Sequence, residues 1–148
     1  MAMHDMSGLP DPELNADFYR DVPAKRLVAW FLDAFIIVAL SIAFIFLSFF
    51  TAIWVLPLVI FAVSIAYRTI CLNAYSATLG MRFVGIEIRD RKGNRVDSTL
   101  AFLHSAVFTS LFIIPLLIIA SFVVVLVTPY KQGLHDLPFG TTAIRSPG

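Results

Sequence analysis

Nearly every position from residue 27 to residue 67 is apolar or small, and Asp33 is the one charge in the run. A helix crosses a hydrocarbon core of about 30 Å with roughly 20 residues, so this run predicts two membrane spans rather than one soluble core helix. Ser48, Thr51, Trp54 and Pro57 interrupt it and supply a turn. The first span is expected over about residues 24–47, with Pro23 in its first turn, where a missing N–H costs nothing. The second is expected over about 55–71. Together they make an antiparallel hairpin of helices with an uncharged tip.

A second apolar block covers residues 100–128, with His104 near its start and Pro115 in its middle. Ser98 or Thr99 is expected to cap it. As one helix it would reach about 45 Å, more than one span needs, yet two spans need about 40 residues. Either one long tilted helix crosses once, or Pro115 divides the block into two short helices that return. Between the apolar runs, residues 73–98 are polar. Residues 84–89 alternate as a strand does, Asp90-Arg91-Lys92-Gly93-Asn94 reads as a turn, and 95–97 can return as a second short strand. After the block, residues 141–144 have strand-forming character. They can pair with 84–89 if both lie on one side of the membrane, which favours the returning pair of helices. The reading is an all-α membrane protein: a helical hairpin, a third transmembrane segment that is single or Pro-broken, and a small cytoplasmic β-hairpin. Residues 1–21 read as a polar tail and 22–145 as one membrane domain.

Composition strengthens this and excludes other classes. Of 148 residues, 59% are hydrophobic and 14% charged, against about 45–50% and 25% in soluble domains. The net charge of +1 leaves no basic field for nucleic acid. Cys71 cannot form an internal disulfide, and neither a Cys/His metal spacing nor a cofactor fingerprint is present. Gly80 and Gly85 lack the Gly-Lys-Ser/Thr of a phosphate loop. The first residues, with Asp5, Asp11, Glu13, Asp17 and Asp21, are too acidic for a secretory signal. Arg20, Lys25 and Arg26 precede the first span and six Lys or Arg from Arg68 to Arg95 follow the second, whereas the tip has none. The positive-inside rule then puts the N-terminus and central loop in the cytoplasm.

Asp33 is the leading candidate site, because a carboxylate inside a span is expensive and marks function by default. Arg26, seven residues earlier, shares its helix face at a rise of about 10 Å. That gap is long for a pair, so Asp33 is expected to find its partner on another helix. Equal distance from the turn brings Arg68 level with Asp33 and makes it the expected partner, with Tyr67, Asn73 or His104 as alternatives. Arg26 stays nearer the headgroups, for lipid or for Asp136. His104 and His135 are candidate proton partners of a transport site. Arg89, Arg91, Lys92 and Arg95 crowd the loop and are expected to face anionic lipid headgroups.

Arg26 at the start of the first helix, Asp33 inside it and Asp136 in a Gly-x-His-Asp…Gly-Thr tail resemble the RDD family, named for one Arg and two Asp. Thr78-Leu79-Gly80-Met81 and the Gly85-Ile86-x-Ile88 strand with its Asp90…Gly93 turn follow in the matching order. The resemblance spans about residues 18–145. Met81 stands where the family often has Lys, and His104 where many members have Arg. The resemblance implies a bacterial inner-membrane protein, multi-pass and generally of unknown function, for which transport, including cation/proton exchange, has been proposed. Ion- or solute-coupled transport by a homo-oligomer is one expectation. A non-transporting accessory or scaffold protein that binds a membrane partner is the alternative. No Ser/His/Asp spacing or metal cluster in the sequence suggests an enzyme.

Overall fold

The computed structural model describes Met6 and residues 8–146. Helix α1, Val22–Leu47, starts with Pro23 in its first turn. The chain turns through Phe49 and Phe50, both at positive φ, and through a short 3-10 stretch, Thr51–Val55. Helix α2, Leu56–Tyr75, runs back. Both helices are long and apolar enough to cross a membrane. They match the expected spans, α2 lasting about a turn longer.

The outward faces are apolar. Phe31, Phe35, Phe46, Trp54 and Leu58 are all more than 60% exposed, whereas Asp33, Arg68, His104 and Asp136 are at most 3% exposed. Polar groups inside and large apolar side chains outside suit a hydrocarbon solvent and would make a soluble monomer aggregate.

Ser76, in the left-handed region, ends α2. Its hydroxyl donates to the Ile88 carbonyl (2.5 Å) and accepts from Val96 N (2.9 Å), so it ties the span to the central segment. That segment differs from the expected loop and hairpin. Residues Leu79–Val84 form a short helix, α3, capped by Thr78, so Val84 belongs to a helix rather than a strand. Gly85 takes the positive φ that ends it. Strand β1, Ile86–Arg89, follows, and its main partner is strand β2, Thr142–Arg145, antiparallel with Ile88 opposite Ala143. Residues 95–97 contribute one bridge, Arg89 to Arg95, and not the second strand of a hairpin. The Asp90 carboxylate closes the turn by accepting from Lys92 N and Asn94 N. Asp97, rather than Ser98 or Thr99, caps the next helix by accepting from Leu100 N at 2.8 Å.

Pro115 breaks the second apolar block. Helix α4 is Ser98–Ser110 and helix α5 is Pro115–Val127, joined through the 3-10 turn Leu111–Ile113. Each has 13 residues, about 20 Å, too short to cross a core of about 30 Å. Among the described residues there is thus no third helix of crossing length. The block begins beside β1 and the chain beyond it supplies β2, so both of its ends lie at the sheet end of the molecule. A small apolar core of Val22, Ala29, Leu72, Met81, Ile86, Ile88 and Ala143 joins the sheet to the ends of α1 and α2. Part of the stretch read as a polar tail is packed there as well. Tyr19 is 3% exposed, donates to the Pro10 carbonyl and meets Tyr130 edge-on, and Asp21 pairs with Arg145.

Candidate functional site

Asp33 sits on the inner face of α1, 3% exposed. Its Oδ1 accepts from Tyr67 OH (2.7 Å) and Gly80 N (2.9 Å), and its Oδ2 accepts from Thr78 Oγ1 (2.6 Å). Thr78 does two things with one hydroxyl: it donates to Asp33 and accepts from Met81 N to cap α3. Asp33 therefore locks α1 to the end of α2 and the start of α3. Gly80 makes the approach feasible, since a Cβ there would run into the Ala29 carbonyl and lie 2.8 Å from Asp33 Oδ1.

Arg68 is not the partner of Asp33. It lies at the expected depth and lines the same cavities, but the carboxylate points at Tyr67, Thr78 and Gly80. The Arg68 guanidinium stacks on Phe108 instead, its central carbon 3.8 Å from the ring centre. Its Nε and Nη2 have no hydrogen-bond partner among the described residues. Of the alternatives, Tyr67 does bind Asp33, Asn73 is exposed, and His104 goes elsewhere. Thr78 and Gly80 were visible only as part of a motif. Their signal was a Thr-x-Gly that opens a helix just after a span.

Asp136 is the second buried carboxylate, fully enclosed. Oδ2 accepts from Arg26 Nη2 (2.5 Å) and Gly133 N (3.0 Å), and Oδ1 accepts from His104 Nε2 (2.7 Å) and Thr141 Oγ1 (2.8 Å). An ionised carboxylate only accepts, so Nε2 of His104 carries the proton. Arg26 thus meets Asp136, one of the two partners expected for it. His135 Nε2 lies 3.4 Å from Arg26 Nη1, and its ring packs edge-on against His104 and Phe108. α1, α4 and the tail are joined at this one point.

With the two carboxylates, the arginine and their order on the page, the match to a family model over residues 22–140 decides the assignment. The chain belongs to the RDD family. No curated protein and no solved structure matches it. In this RDD chain the Arg and one Asp form a single ion pair, and the other Asp forms a separate lock about two helical turns deeper along α1. His104, His135 and Asp136 offer ligand atoms within 4.8 Å of one another. The cation that meets them, however, is the Arg26 guanidinium, and both Asp136 oxygens are already engaged, so the arrangement is that of a hydrogen-bonded network.

The tail groups have displaced acidities. Burial by itself would raise the Asp136 carboxyl, but Arg26, His135 and His104 hold it well below the usual carboxylate range. Burial pushes the His135 imidazole well below its ordinary value, with Asp136 opposing. Both groups therefore bind fewer protons folded than unfolded, and stability falls as pH falls. The His135 contribution is whole above about pH 6.5 and declines below it, and that of Asp136 is whole above about pH 4 and declines below that. Thermal unfolding of the detergent-solubilised protein is expected to show both limbs, and His135→Gln to flatten the upper one. A melting temperature that stays level or rises on acidification from neutral pH would contradict this.

Proposed function

We propose that this chain is an ion- or solute-coupled transport protein of the bacterial inner membrane. It works as a homo-oligomer, with the N-terminus, the central loop and the C-terminal tail on the cytoplasmic side. The observation that carries the reading is Arg68: a buried guanidinium at span depth, with unpaired donors, lining cavities between the helices. Intramembrane charges that face a cavity mark solute and ion pathways. Orientation is supported by the basic residues. All of them except Arg68 belong to the sheet end or the segments leading to it, Lys131 and Arg145 of the tail included, and the tip has none. Lys92 and Arg95 are exposed on the loop and suit anionic headgroups, whereas Arg89 is engaged by Glu87 within the protein. Oligomerisation answers the problem of size, since two spans and a short returning pair make few walls for a pathway.

The accessory or scaffold reading is favoured by a different observation. Every oxygen of Asp33 and Asp136 is engaged by the chain's own donors, as in groups that hold a fold together. Proteoliposomes separate the two readings. Transport is expected as proton-coupled flux above that of empty vesicles, lost in Arg68→Gln with assembly intact. Absence of flux, together with a stable membrane partner that co-purifies, would overturn transport in favour of the scaffold.

A further inference from the structure

Helix α3 has two unlike sides. Gly80 and Met81 are buried, the first against α1 and the second in the small core. Leu79 and Phe83, four residues apart and so neighbours on the other side, are 42% and 81% exposed. Arg82, three residues from Leu79, shares that outer side and is exposed. Among the described residues no carboxylate pairs with it. Its guanidinium lies instead over the ring of Tyr75, the last residue of α2, with its central carbon 4.2 Å from the ring centre. Tyr75 is itself 46% exposed. From residue 73 to residue 88 Arg82 is the one exposed charge, since Glu87 is buried and engaged by Arg89.

These positions ask for two solvents within about one turn of helix. Two large apolar side chains need hydrocarbon, and an exposed guanidinium needs water or an anion. The boundary of the bilayer supplies both, and a tyrosine at the end of a span suits it. The contact with Tyr75 holds the Arg82 head at the level where α2 ends, and it uses the face of the guanidinium. The N–H groups point outward in the plane of the group and keep their capacity to donate to phosphate. We propose that the outer side of α3, together with Tyr75, is a docking surface for one anionic phospholipid, with its phosphate on Arg82 and its acyl chains along Leu79 and Phe83. A zwitterionic lipid also carries a phosphate, but its own ammonium offsets that charge, and this surface has no exposed carboxylate to receive the ammonium. Lys92 and Arg95, on the exposed loop, attract the leaflet as a whole. The inference goes beyond the transport reading and holds equally for a scaffold.

Titration of the detergent-solubilised full chain with phosphatidylglycerol and with phosphatidylcholine, read by native mass spectrometry, tests the surface. The first phosphatidylglycerol is expected to bind about fivefold more tightly than phosphatidylcholine, the effect of one basic residue at an anionic headgroup. Arg82→Gln should remove this preference, and Lys92→Gln combined with Arg95→Gln should keep it. Equal binding of the two lipids, a preference that survives Arg82→Gln, or one that is lost in the loop variant instead would overturn the site. Glycerol phosphate that competes as well as the lipid would show a site for a free phosphate compound and overturn the lipid as its occupant. A second measurement does not depend on the Arg82 variant. A nitroxide at position 83 (Phe83→Cys in a Cys71→Ala background), with the protein in nanodiscs, should be relaxed more by oxygen, which enters hydrocarbon, than by a water-soluble nickel chelate. The opposite order would put the outer side of α3 in water and overturn the proposal, even where Arg82→Gln fails to fold.

Discussion

Asp136→Leu is expected to unfold the sheet end of the molecule. The carboxylate takes four donors from three parts of the chain: Arg26 of α1, His104 of α4, and Gly133 and Thr141 of the tail. Leucine leaves a buried guanidinium facing a buried imidazole, with nothing between them to accept a hydrogen bond. Breaking a buried ion pair by removing one member costs about 3–5 kcal/mol. Asp136→Asn should be milder, because its oxygen can still accept from Arg26 and Gly133. Its amide can donate to His104 if that ring moves its proton to Nδ1, which has no partner now. Melting in detergent and protease cleavage of the tail should rank the proteins wild type, then Asn, then Leu. A leucine variant as stable as the asparagine variant would mean that Asp136 is not the clamp described.

The second large effect is expected at Asp33. Asp33→Leu orphans the Tyr67 hydroxyl, the Thr78 hydroxyl and the Gly80 amide, at about 1–3 kcal/mol for each buried donor left unmade. Asp33→Asn keeps two of the three bonds through its oxygen. The third can reverse: Thr78 Oγ has a second lone pair and can accept from the new amide. The asparagine protein should therefore accumulate and melt somewhat below wild type, whereas the leucine protein should fail to accumulate. Gly80→Ala tests the same joint sterically. The added methyl has the Ala29 carbonyl on one side and Asp33 Oδ1 on the other, and a forced fit of this kind costs about 1–3 kcal/mol. If Gly80→Ala melts with wild type, α1 and α3 are not in the contact described.

The arrangement of these two joints bears on how the fold is specified. In hydrocarbon, the apolar faces of α1 and α2 gain little by meeting each other, because lipid suits them equally well. Position is then set by the polar groups, which have nowhere else to go. Asp33 and the Arg26–Asp136 pair act as two fixed points along α1: the first ties it to the end of α2 and the start of α3, the second to α4 and the tail.

Hydropathy by itself determined the two long apolar helices, because a run of that length with a single charge suits hydrocarbon far better than water. Pro115 in a block too short for two spans and long for one marked where α4 and α5 separate. The strand character of 141–144 pointed to β2, and period-two alternation found β1. The partner of Asp33 could not be read in this way. Depth along a hairpin brings Arg68 level with Asp33, but it says nothing about the angle at which each side chain leaves its helix. Only the tertiary structure decided that Asp33 turns to a hydroxyl one residue before Arg68 and to the capped start of α3. Helix α3 itself was hidden because six residues are too few to show a period. The meeting of Arg26, His104 and Asp136 joins residues 110 and 32 positions apart in sequence, and no local pattern encodes which of several buried donors a carboxylate will take. That choice rests on packing, which alone brings the donors within reach.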